Sequence, residues 1–212
     1  MTRAILFDLD GTLVDSAPLI CAGLRASLAA VGIAAPDDAY LRGGIGLPLP
    51  HVWARLGVPA DRHAEAVAGY RAGAAAAAPA PAPVFPGIDG MLRNLHAAGH
   101  QLVLASAKDT VAARRALGVH GWTDLFAAVS GSEPGDGPDK RGLVGRGLAM
   151  LPAGLRRDAV LVGDMPIDGD AATAHGLGFI AVAWGCGERA ALLAQAPQAL
   201  VEDVAGLHRL LA

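Results

Sequence analysis

Ala4-Ile5-Leu6-Phe7-Asp8-Leu9-Asp10-Gly11-Thr12 is the stretch around which the rest of the chain organises. The apolar run Ala4 to Phe7 has the pattern of a short strand buried on both faces. Two carboxylates follow, two residues apart, and Gly11 turns the chain. Taken alone, this is either an ordinary acidic turn or a place where carboxylates are gathered for chemistry. In the second reading one carboxylate attacks a phosphoryl group and its neighbour moves a proton. A divalent cation offsets the crowded charge.

Similar apolar runs recur at Leu102–Ala105, Phe126–Val129, Ala159–Val162 and Phe179–Val182. Helical stretches separate them, at about 87–98, 110–118, 140–151 and 168–176. Short apolar strands alternating with helices predict a parallel sheet covered by helices on both faces. In such a sheet, ligands bind beyond the C-terminal ends of the strands. Residues 17–83 break the alternation. Leu19, Leu24, Leu28 and Val31 fall near helical spacing, and Ala60–Ala78 is rich in alanine, the best helix former. This segment is expected to be an all-helical cap of about four helices, inserted into a core made of 1–16 and 84–212. Ser16 is expected to cap its first helix, with Pro18 in the first turn. The proline-interrupted run at 74–83 is expected to be an extended, semi-rigid return connector. Two connectors between one insert and one core suit a cap that opens and closes.

Three further features fall at or near the ends of the core strands. Ser106 follows the second strand, where its hydroxyl either caps a turn or donates to a phosphate oxygen. Lys140 opens a helical stretch after the Gly/Pro/Asp-rich segment 131–139. It is either a solvated surface lysine or the fixed cation that a carboxylate and phosphate site needs. The chain has only two lysines, Lys108 and Lys140, so each warrants inspection. Gly163-Asp164-Met165-Pro166-Ile167-Asp168 follows the fourth strand with two more carboxylates. Asp164 is placed for a hard cation such as Mg²⁺, and Asp168 for capping the next helix. Asp170 adds a carboxylate to which no role is assigned beyond the exposed first helical turn.

Together, Asp8-Leu9-Asp10-Gly11-Thr12, Ser106, Lys140 and Gly163-Asp164 with Asp168 resemble the four motifs of the haloacid dehalogenase-like hydrolase superfamily. Leu13-Val14-Asp15-Ser16 and Pro86-Gly87-Ile88 resemble its phosphoglycolate phosphatase-like branch. The resemblance covers nearly the whole chain, since that family's small cap occurs after its first motif. It implies an α/β fold: a Rossmann-like parallel sheet flanked by helices, with an inserted all-helical cap. It implies a phosphatase in which Asp8 is the nucleophile and forms an aspartyl-phosphate. Asp10 would protonate the leaving oxygen and then activate water. Mg²⁺ would be held by the Asp8 side chain, the Asp10 main-chain carbonyl and Asp164. Thr12, Ser106 and Lys140 would serve the phosphate site, Thr12 by supporting the loop. Asp168 would orient Lys140 or bind metal-bound water.

Other readings are weaker. A dehalogenase needs no proton donor at Asp10. A carbon–phosphorus hydrolase needs a cap lysine, and residues 17–83 contain none. A sugar phosphomutase uses the same two aspartates, and the cap arginines suit a bisphosphate. A non-catalytic phospholigand-binding protein has no reason to keep Asp10. Substrate choice is assigned to the cap, with Arg42 in the glycine-rich turn Arg42–Pro48 as the specificity candidate. The partner is a small-molecule phosphoester whose identity the sequence leaves open, and monomer and homodimer both stay open. Net charge is −3, which gives no case for nucleic acid or an anionic membrane. With 53% hydrophobic and 17% charged residues, the chain is well buried. Cys21 and Cys186 have no motif spacing, no apolar run is long enough to cross a bilayer, and the N-terminus lacks a signal pattern. The expected setting is the cytoplasm, with both thiols free.

Overall fold

The computed structural model describes residues 2–77, 81–133, 136 and 139–212. Parts of the expected connector at 74–83 and of the Gly/Pro/Asp-rich segment at 131–139 lie outside the described residues.

Six strands form one sheet: β1 Ala4–Phe7, β2 Gln101–Asp109, β3 Phe126–Ser132, β4 Val160–Gly163, β5 Gly178–Val182 and β6 Ala199–Val201. Their order is β3-β2-β1-β4-β5-β6, and every neighbouring pair is parallel. β1 is therefore central, with the chain continuing to β2 on one side and β4 on the other. That reversal opens a crevice at the C-terminal end of β1, where parallel sheets place their ligands.

Alternate residues of β1 face opposite sides of the sheet. Ile5 and Phe7 join a core completed by α5 (Ile88–Ala97), α6 (Thr110–Val119) and α11 (Val204–Leu211). Ala4 and Leu6 join a second core with α7 (Arg141–Ala149), α9 (Pro166–Ala174) and Leu192 of α10 (Arg189–Ala194). A four-residue helix, α8 (Ala153–Arg156), leads into β4. Burial on both faces is why these strands are continuous apolar runs rather than alternating ones.

Between β1 and α5 lie α1 (Ala17–Ala30), α2 (Asp38–Arg42), α3 (Leu49–Arg55) and α4 (His63–Ala77). They share a third hydrophobic cluster built around Leu24, Leu28, Leu41, Val52 and Trp53. The chain segments entering and leaving this layer run side by side. Asp15 N donates to Pro83 O at 2.8 Å, and Phe85 N to Leu13 O at 3.2 Å. Val14 and Val84 form an antiparallel bridge. Ser16 occupies the N-cap position of α1, and Pro18 lies in the first turn as expected. The expected serine cap is not formed, because Ser16 Oγ is buried and has no hydrogen-bond partner. Among the described residues, no helix is long and apolar enough to cross a membrane.

Candidate active site

The strand ends bring the acidic residues together. Asp8 follows β1 directly, and its N–H donates to Val162 O of β4 at 2.9 Å, fixing the exit of the strand. Asp10 lies on the turn that Gly11 completes. Gly11 has φ +87°, and a Cβ there would overlap the Asp164 carboxylate, so only glycine lets the turn pass. Asp164 follows β4, Asp168 sits in the first turn of α9, and Lys140 precedes α7. Asp8, Ser106, Lys140, Asp164 and Asp168 are all buried. β2 runs on to Asp109, so Ser106 lies inside the strand and not after it.

Lys140 is the hub. Its side chain is fully buried, with Nζ 2.6 Å from Asp8 Oδ2 and 2.7 Å from Asp168 Oδ1. The other Asp168 oxygen accepts the Met165 N–H at 3.0 Å, so this carboxylate both caps α9 and holds the lysine. Asp164 is fixed separately. Thr12 Oγ1 donates to its Oδ1 and Cys186 N to its Oδ2, each at 2.8 Å. The Thr12 hydroxyl is thus directed at Asp164 and not at the space before Asp8. This bond ties the Gly11 turn to the carboxylate that follows β4.

Lys108 is the residue that motif reading left out. Its Nζ lies 3.1 Å from Asp10 Oδ2, and its backbone N–H donates to Ser106 Oγ at 3.2 Å. The available signal was its rarity and its position two residues after Ser106. Ser106 Oγ accepts from that amide, which leaves its own proton free to donate. Arg42 is exposed, and its guanidinium reaches the Cys186 thiol. Asp170 is exposed.

Burial and crowding shape the charges. Burial, with Asp168 and Asp164 adding to it, pushes the Asp8 carboxyl up to about 8 against the pull of Lys140. Burial and Asp168 likewise raise Asp164 to about 6. Burial works to strip Lys140 of its proton, but Asp168 and Asp8 outweigh it and hold the ammonium above its usual range. Asp8, Asp164 and Asp168 each present an oxygen within 4.8 Å of the others. Three buried carboxylates against one buried ammonium leave unbalanced negative charge. The donor set is all hard oxygen, so the residues fit a divalent cation such as Mg²⁺.

Above these groups lies a cavity of about 840 Å³. Asp8, Asp10, Ser106 and Lys108 line it from the sheet side, and side chains of α1, α3 and α4 from the helical layer. Arg42 does not line it, whereas Arg71 and Arg115 do.

The family model for haloacid dehalogenase-like hydrolases matches residues 5–182. The chain belongs to that family. The fold agrees with a haloacid dehalogenase-like family hydrolase from Streptococcus pneumoniae, at TM-score 0.86 and 30% identity, covering 100% of this chain and 99% of that one. A phosphoglycolate phosphatase from Cereibacter sphaeroides is 38% identical over 184 residues, 82% of each chain. The tyrosine-protein kinase PtkA of Mycobacterium tuberculosis is 33% identical over 186 residues. That match takes in 87% of this haloacid dehalogenase-like hydrolase but only 63% of the length of the mycobacterial protein.

Proposed function

We propose that this hydrolase is a Mg²⁺-dependent phosphatase of small-molecule phosphomonoesters that works through an aspartyl-phosphate on Asp8. The observation that carries the reading is the placement of Asp8. It lies on the floor of the cavity, 2.6 Å from a buried ammonium and on the same turn as a second carboxylate that carries no part of that ammonium's ion pairing.

Phosphoryl transfer asks mainly for positioning and charge neutralisation. Asp8, Asp164 and the Asp10 main-chain carbonyl would hold the Mg²⁺. Bound there, Mg²⁺ offsets the carboxylate charge and draws electron density from the phosphoryl oxygens. Lys140 and the Ser106 hydroxyl hold the phosphoryl group. An Asp8 oxygen bonds to phosphorus as the bond to the leaving oxygen breaks, and Asp10 gives that oxygen its proton. Asp10 then takes a proton from water as the water oxygen attacks phosphorus. Asp8 is released as a carboxylate, together with inorganic phosphate. Asp8 is enclosed with Lys140 beside Asp164 and Asp168, whereas Asp10 is less buried and meets the partly exposed Lys108, so the two carboxylates sit in different surroundings, as their different jobs require. Residues 17–83 act as a cap that closes over the bound ester and shuts out bulk water.

The Cereibacter relative's name supports the phosphomonoester class. The mycobacterial relative's name points to a hydroxyl acceptor. The phosphoryl group of the same aspartyl-phosphate, passed to an alcohol in place of water, gives transfer, and the ratio of the two products measures the partition. The test is hydrolysis of p-nitrophenyl phosphate with and without Mg²⁺, by wild type and by Asp8→Asn. Mg²⁺-dependent turnover lost in the variant supports the proposal. Undiminished turnover by Asp8→Asn overturns it.

A further inference from the structure

The walls of the cavity say more about the leaving group than any single charged residue does. On α4, Val67, Tyr70, Arg71 and Ala74 stand at i, i+3, i+4 and i+7, one face of the helix, and all four line the cavity. Facing them, Val111, Ala112 and Arg115 of α6 present one face from the core side. Val111 is 77% exposed, an apolar side chain left at the cavity mouth. Leu24, Ile45 and Trp53 close the wall from within the helical layer. Apart from the Trp53 indole N–H, only Tyr70 and Arg71 on that layer bring hydrogen-bonding side chains to the cavity.

We propose that the leaving alcohol carries an aromatic ring, held between the α4 and α6 faces with Tyr70 and the guanidinium groups of Arg71 and Arg115 against its faces. This rests on the phosphatase reading above and names the substrate class of the same site. A sugar or other polyol is disfavoured by the wall. Its hydroxyls would leave water for a surface with almost no partners, and each unpaired group is costly. A two-carbon carboxylate would leave most of about 840 Å³ unfilled. An alkyl chain would gain the apolar burial but nothing from Tyr70 or the two guanidinium groups. A ring gains burial, stacking and cation–π contact together, and its rigidity keeps the ordering cost low. Among the described residues neither Arg71 nor Arg115 has a carboxylate partner within ion-pair distance, so both are available to a ligand.

The test compares esters that share a leaving oxygen and differ in the ring, using the full chain with Mg²⁺. Adenosine 5′-monophosphate is set against ribose 5-phosphate, and benzyl phosphate against hexyl phosphate. Acetyl phosphate, which has no ring, reports the phosphoryl-transfer chemistry alone. The ring-bearing member of at least one pair is expected to have kcat/KM tenfold or more above its partner. A preference in the first pair alone identifies a nucleotide source, and in the second alone a simple aryl-bearing ester. The preference is expected to fall at least fivefold in Tyr70→Ala, read as a ratio within one protein sample so that reduced stability does not enter. Turnover with both ratios near one, or with hexyl phosphate preferred, overturns the ring and leaves the phosphatase standing. No turnover of any ester, acetyl phosphate included, overturns the phosphatase reading and the ring with it.

Discussion

Replacing Lys140 by methionine keeps most of the side chain's volume and removes its charge. The wild-type ammonium is fully buried and pairs with two carboxylates, at 2.6 and 2.7 Å. Removing one partner of a buried pair costs ~3–5 kcal/mol, because the remaining charge is left without compensation. Here two carboxylates are orphaned, but Asp8 already holds its proton readily and takes one up, which limits the loss. The expected destabilisation is therefore about 3–5 kcal/mol and not twice that. For a chain of this size each kcal/mol moves the melting temperature by roughly 2–4 °C, so Lys140→Met is expected to melt about 6–20 °C below wild type in chelator. Mg²⁺ at one hundred times its dissociation constant returns ~2.7 kcal/mol, so the gap between the variant's melting curves with and without Mg²⁺ is a second readout. Loss of a fixed cation beside the phosphoryl group lowers kcat by a further ~10²–10³. Differential scanning fluorimetry and a steady-state phosphatase assay measure both. A variant that melts with wild type in chelator would refute the argument, since it would mean that Lys140 is solvated and the carboxylates are not crowded.

Metal-free wild type is expected to lose stability as pH rises from about 4 to about 8, and to level off above that. The Asp8 pKa is about 8 in the folded protein, far above its unfolded value, so its contribution is fully present at low pH and disappears as pH rises through 8. Melting curves in chelator across that range test this, and saturating Mg²⁺ or Asp8→Asn should flatten the slope; a rising melting temperature would contradict it. Thr12→Val removes a buried hydrogen bond to Asp164 and is expected to cost ~1.5–3 kcal/mol in urea denaturation. Mg²⁺ affinity in the same variant should weaken ~10–100-fold by calorimetry, as for other groups that orient a metal ligand. Asp10→Asn is expected to lower kcat/KM, which reports leaving-group departure, ~10²–10⁴-fold on alkyl phosphates, and less on p-nitrophenyl phosphate, whose leaving group needs no proton. Equal losses on both substrates would count against Asp10 as the proton donor.

The core was legible because its strands are buried on both faces and written as unbroken apolar runs. β6 escaped because Ala199-Leu200-Val201 is too short to stand out, and it lies between two short helices, α10 and α11, in the same tail. The motif aspartates were legible as residue types after β1 and β4. Ser106 lies within β2 and Lys140 at the start of α7, but both were legible as candidates by residue type. What each touches was not. Thr12 reaches 152 residues along the chain to Asp164, and no local pattern carries that distance. Lys108 joins Asp10 because β2, the neighbour of β1, extends past Ser106 and carries the lysine beside the Asp10 turn. Arg42 is a different case: the glycines beside it, Gly44 and Gly46, line the cavity, while Arg42 itself acts on the Cys186 thiol. The cavity's arginines come from helix faces, Arg71 on α4 and Arg115 on α6, where spacing within a helix means nothing until the facing helix is known.

The central claim is that Asp8 carries the phosphoryl group. Acetyl [³²P]phosphate mixed with the protein and Mg²⁺, quenched in acid within milliseconds and digested, tests it directly. The account predicts hydroxylamine-sensitive label on the peptide containing Asp8, formed and lost at rates that match turnover, and absent in Asp8→Asn. Steady turnover with no label on that peptide, and with activity retained by Asp8→Asn, would contradict it.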